Sequence, residues 1–135
     1  MSPCANALVQ ALERVAAAMD AESDAVRAGG RAALAEAAEH KRDAIEAAEA
    51  ILGRRREIVT AATAVERVRL KQAGQRMHAA AERNAATLQG ALEGTRRLFG
   101  CLAEAARQAS STGTYGPDGR PRRTEEAPRT IHRSA

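Results

Sequence analysis

The sequence predicts an all-α fold, an elongated three-helix antiparallel coiled-coil-like bundle with a disordered C-terminal arm. Three observations predict it. Apolar residues recur at steps of three, four and seven over most of the chain. A Gly29-Gly30 pair and a Thr63-x-x-Glu66 spacing punctuate that pattern. Beyond Ser110 the periodicity stops and Gly, Pro and Arg take over.

Composition limits the thickness of the core. Of 135 residues 34 are alanine, and Phe99 and Tyr115 are the only aromatics. Burying a large aliphatic side chain is worth roughly 1.5–3 kcal/mol and an alanine much less, so narrow helix-to-helix seams are favoured over a broad globular core. The length suits one domain. A net charge of +4 with pI near 9.8 permits an acidic partner without identifying one.

The first helix is expected over about 3–28. Ser2 supplies an oxygen for an orphan amide, and Pro3 at the first helical position gives up no needed donor. Leu8, Leu12, Val15, Met19 and Val26 fall along one face. Gly29 and Gly30 supply the left-handed turn that ends the helix and lets the next one return antiparallel.

A second helix is expected over 31–59, with a seam of Leu34, Ala38, Lys41, Ile45, Ala48, Leu52 and Val59 that one lysine interrupts. Gly53 and the Arg54-Arg55-Arg56 run weaken its far end. At 60–63 two readings stand, a true boundary capped by Thr63 and Glu66 or one continuous bent helix. The third helix is expected over 64–109. Its early seam reads Val65, Val68, Met77 and Ala81, and a broader late face carries Leu88, Leu92, Leu98, Phe99 and Leu102. Residues 1–110 thus form a helical domain, and 111–135 an arm without helical period.

The parts of an enzyme are missing from this pattern. His40, His78 and His132 lack the spacing of metal ligands, and the Glu36, Glu39, His40 group has the wrong offsets for a bundle di-metal site. There is no phosphate loop and no nucleophile elbow. The expectation is a non-enzymatic protein with no metal and no cofactor. Cys4 and Cys101, with no secretion-type apolar start, read as free thiols of a cytoplasmic protein, and no apolar run is long enough for membrane insertion.

One segment stands out. Thr114-Tyr115-Gly116-Pro117-Asp118-Gly119-Arg120 holds the only tyrosine beside a Gly-Pro-Asp-Gly sequence that favours a type I turn. A large aromatic with a hydroxyl makes an efficient interface anchor; the alternative is an incidental linker tyrosine.

Chain length, three helical segments and a Tyr115-Gly116-x-Asp118-Gly119 motif after the last helix resemble the FlgN family of flagellar type III export chaperones. Ala21-Glu22 near the end of the first helix, and Asn84 followed by Leu88 and Leu92, are further points of similarity. The resemblance implies a cytoplasmic chaperone that binds the hook-filament junction proteins FlgK and FlgL, prevents premature assembly and delivers them to the export gate. It implies client binding at Leu88, Leu92, Leu98, Phe99 and Leu102, for which intramolecular packing is the competing role. It also implies contact with the gate protein FlhA through Tyr115, Gly116, Asp118 and Gly119. No nucleic acid is expected, since Asp118, Glu125 and Glu126 offset the arm's arginines and no aromatics interleave with them. Alternative readings are a structural coiled-coil oligomer or a basic-tailed nucleic-acid-binding protein.

Overall fold

A computed structural model describes residues 1–111, and their regular structure is entirely α-helical. The helices are α1 (Pro3–Ala28), α2 (Arg31–Leu52), α3 (Arg55–Ala61) and α4 (Ala64–Ser111). The chain divides into two compact units, Met1–Thr95 and Arg96–Ala135. The last helix runs to Ser111, two residues past its expected end and into the first residue of the expected 111–135 arm; the rest of that arm, with Tyr115, Gly116, Asp118 and Gly119, lies outside the described residues. Among those described, no helix is long and apolar enough to cross a membrane.

The start and end of α1 follow from local chemistry. Ser2 adopts extended backbone, and its Oγ accepts from the Ala5 N–H at 3.3 Å, with Pro3 next in line. Gly29 closes the helix at φ 75°, and its N–H donates to the carbonyls of Ala25 and Val26. An L side chain at that φ is strained, which is why glycine stands there.

The expected helix over 31–59 is two helices. Gly53 keeps right-handed geometry, but Arg54 leaves the helical path at φ −102°, ψ 9°, and α3 restarts at Arg55. Glycine weakens the helix at that point, and three successive like charges add nothing to hold it. The restart changes the phase of the seam. Ile58 is buried and Val59 exposed, the reverse of what an unbroken helix would give.

The boundary at 60–63 is real and is built as a reciprocal cap. The Thr63 N–H donates to Glu66 Oε2 at 2.8 Å, and the Glu66 N–H donates to Thr63 Oγ1 at 3.3 Å. The other Glu66 oxygen accepts from the Ser2 backbone N–H. One carboxylate therefore ties the beginning of α1 to the beginning of α4.

Within Met1–Thr95 the helix directions can be read from the contacts. Bonds between α1, with its cap Ser2, and α4 keep a separation in sequence of 60 to 65 residues from Ser2–Glu66 to Arg27–Thr87, so those helices run parallel. Glu22 meets Lys41, while Ala11 and Val15 pack with Ala48, so α2 is antiparallel to α1. Two apolar clusters fill the space between. Ala5, Leu8, Val9 and Leu12 pack with Ile58, Ala62, Leu70 and Ala73, and Ala11, Val15 and Ala48 form the second. The seam expected on α1 holds, as Leu8, Leu12 and Val15 are buried with Met19 packed against them.

The early seam expected on the last helix is corrected. Val65 and Val68 are exposed, and the buried positions of α4 are Glu66, Leu70, Ala73, Ala80 and Asn84, with Met77 partly buried. That row advances by four, three, four, three and four, a coiled-coil repeat whose two ends are polar. Glu66 faces inward because it caps, and the two valines then fall on other faces.

Candidate functional site

Three side chains with different chemistry from the surrounding alanines occupy the interior of Met1–Thr95. Glu22, Ser23 and Asn84 are buried, and Lys41 reaches them from α2. Asn84 Nδ2 donates to the Met19 carbonyl at 3.1 Å, to Glu22 Oε2 at 2.9 Å and to Ser23 Oγ at 3.2 Å. Lys41 Nζ donates to Glu22 Oε2 and, at 3.3 Å, to Asn84 Oδ1. No buried side-chain polar atom among the described residues lacks a partner.

Burial pushes the Glu22 carboxyl up. Hydrogen bonds from Lys41 and Asn84, with the Lys41 charge, outweigh it and leave Glu22 below the ordinary carboxylate range. The layer joins all three long helices at one level and fixes their register, since a one-residue slip of any helix would bury an unpaired charge. Lys41 was visible in the sequence as a break in the seam. Glu22 and Asn84 stand at helical steps from Val15 and Met19 and from Met77 and Ala80, which is the signal that locates them.

Glu66 is perturbed by hydrogen bonds from the Ser2 N–H, the Thr63 N–H and the Thr63 hydroxyl, which hold its carboxyl at about 2. This is a structural charge at a helix start. The exposed His78 lies 3.5 Å from Glu82, and among the described residues no group of three His, Cys, Asp or Glu could hold a metal ion. Cys4 and Cys101 are free and exposed.

The apolar residues expected to bind a client are placed as follows. In Met1–Thr95, Leu88 is half-buried and Leu92 is 51% exposed. In the second unit, Leu98, Phe99 and Leu102 are 59%, 66% and 55% exposed, and every described residue from Arg96 to Ser111 is exposed. Leu98 and Leu102 are four apart and Phe99 and Leu102 three apart, so the three share one side of the helix. Local charge stays near the helix surface, with Arg107 paired to Glu104 one turn away. Single exposed hydrophobics are ordinary, but a Leu-Phe-Leu group within five residues is an apolar patch. Covering each of these half-exposed side chains would return roughly 1–2 kcal/mol. The patch can dock an apolar surface and holds no acid, base or nucleophile arrangement.

Compared with known proteins, the chain matches no protein-family model, no curated protein and no solved structure.

Proposed function

We propose that this chain is a non-enzymatic export chaperone of the FlgN kind. It binds FlgK- and FlgL-like hook-filament junction proteins through Leu88, Leu92, Leu98, Phe99 and Leu102, keeps them from assembling early and delivers them to the export gate. The observation that carries this reading is the exposure of Leu92, Leu98, Phe99 and Leu102 on a helix otherwise rich in alanine and charge. An amphipathic helical end of the client would lay its apolar stripe on Leu98, Phe99 and Leu102, which share one side of the helix. In the same reading α1, α2 and α4 act as an antiparallel coiled-coil-like scaffold, and Tyr115, Gly116, Asp118 and Gly119 address the complex to FlhA. The work is done in the cytoplasm without a cofactor, nucleic acid or membrane insertion.

Two substitutions separate the roles. Tyr115→Ala is expected to retain a FlgK-like client in a pull-down and to lose the cytoplasmic domain of FlhA. Unchanged FlhA binding would remove the gate contact from the proposal. Leu92→Ser with Phe99→Ser is expected to lose the client while circular dichroism stays helical. Unfolding would instead assign those residues to intramolecular packing.

A further inference from the structure

Met1–Thr95 carries two surface grooves of similar size whose charge is balanced differently. The first, about 370 Å³, is lined by Glu13, Asp20, Arg76 and Arg83 over alanines, and its charges are already matched. Glu13 pairs with Arg76 and Asp20 with Arg83. The second, about 340 Å³, is lined by Leu8, Leu12 and Leu70, which are buried at its base, and by Leu52 and Val59, which keep solvent contact. Its charged lining is Arg55, Arg67 and Lys71, with no carboxylate among them.

Among the described residues none of those three cations has a carboxylate partner. Arg67 donates to the Ala62 carbonyl at 2.7 Å, a neutral acceptor that leaves its charge in place. Arg55 and Lys71 are exposed and have no ion-pair partner among the described residues. Arg67 and Lys71 are four apart on α4, the spacing at which like charges repel on a helix. An anionic partner would relieve that repulsion as its apolar side chains covered Leu52 and Val59.

The direction of the groove narrows the partner. Leu8 and Leu12 are four apart on α1, and Arg67 and Lys71 four apart on α4, which runs parallel to α1 within this unit. Base and cationic rim both follow the helix axes, the arrangement that accepts another helix by its i, i+3, i+4 and i+7 residues. We propose that this groove docks an acidic amphipathic helix of a partner protein, its apolar stripe over Leu52 and Val59 and its flanking carboxylates on Arg55, Arg67 and Lys71. The site is separate from the late α4 residues and does not rest on the chaperone reading.

The test uses the full chain and a synthetic helical peptide with leucines at i, i+3, i+4 and i+7 and glutamates on both flanks. Fluorescence anisotropy should show saturable binding, and methyl NMR should shift Leu52, Val59 and Leu70. A peptide with lysines for the glutamates should not bind. Arg55→Glu with Lys71→Glu should weaken the acidic peptide by about tenfold or more and admit the lysine peptide, with the thermal transition retained. Unchanged affinity in that double variant would overturn the proposal, as would methyl shifts elsewhere. So would a titration in which decanoate shifts the groove methyls and the acidic peptide does not, because the groove would then serve a small amphiphile.

Discussion

Leu8, Leu12 and Val15 on α1 and Leu98, Phe99 and Leu102 on α4 are two small apolar groups on helices, yet the first is buried and the second is more than half exposed. In both, apolar residues three and four apart share one side of a helix. On α1 that side is covered by Ile58, Ala62, Leu70 and Ala73 and, further along, by Ala48. No described residue between Arg96 and Ser111 is covered. Spacing therefore defines a face, and only a partner defines a core. The proposal is that the second face finds its partner in another protein.

The comparison breaks most readily at its buried side. Leu12→Ala should cost about 2–5 kcal/mol in urea denaturation, from lost burial plus the cavity left among alanines too small to fill it. A cost under about 0.5 kcal/mol would mean the row is no more covered than the late one.

Next in size is the polar layer. Lys41→Met leaves the Glu22 carboxylate buried with Asn84 alone, and should cost about 1–3 kcal/mol, less than for a fully buried pair because Lys41 keeps some solvent contact. Replacing Glu22 and Lys41 together by leucine should recover most of that loss, measured as a double-mutant cycle.

A smaller effect comes from pH. The Glu66 carboxyl lies at about 2 in the fold against 4.5 for an unperturbed glutamate. A depressed folded value means that the charged cap stabilises fully above the unfolded value and that this contribution is lost as pH falls toward the folded one. Stability should therefore fall between about pH 4.5 and about pH 2, and Glu66→Gln should flatten that part of the profile. An identical profile in the variant would remove Glu66 from the account.

The smallest effect belongs to the exposed face. Leu98→Ser or Phe99→Ser should change stability by no more than about 0.5 kcal/mol by thermal melting, since neither side chain leaves a cavity.

Helix identity was legible because its signals are local. Ser2-Pro3, Gly29 and the Thr63–Glu66 cap act within a few residues and stand where expected. What escaped was phase. The break after Leu52 turned Ile58 rather than Val59 inward, and among so many alanines Val65 and Val68 outweighed a row in which Ala73 and Ala80 are the fully buried members. Glu22 and Asn84 stand in phase with the apolar seams, but a polar residue in a seam reads as surface until its partner on another helix is known. The exposed Leu98, Phe99 and Leu102 were picked out by spacing, though spacing alone left open whether the fold would cover them. The residues proposed for gate contact, Tyr115, Gly116, Asp118 and Gly119, lie outside the described residues, and their role rests on the motif.

In the proposed function the late apolar face serves a client and not the fold. Isothermal titration of the full chain with a purified FlgK-like junction protein, repeated with a Leu98→Ser, Phe99→Ser, Leu102→Ser variant, tests it directly. The expected result is measurable binding by the original chain and a loss of about 100-fold or more in a variant whose melting temperature is unchanged. Equal binding by the two proteins, or a variant that no longer folds, would contradict it.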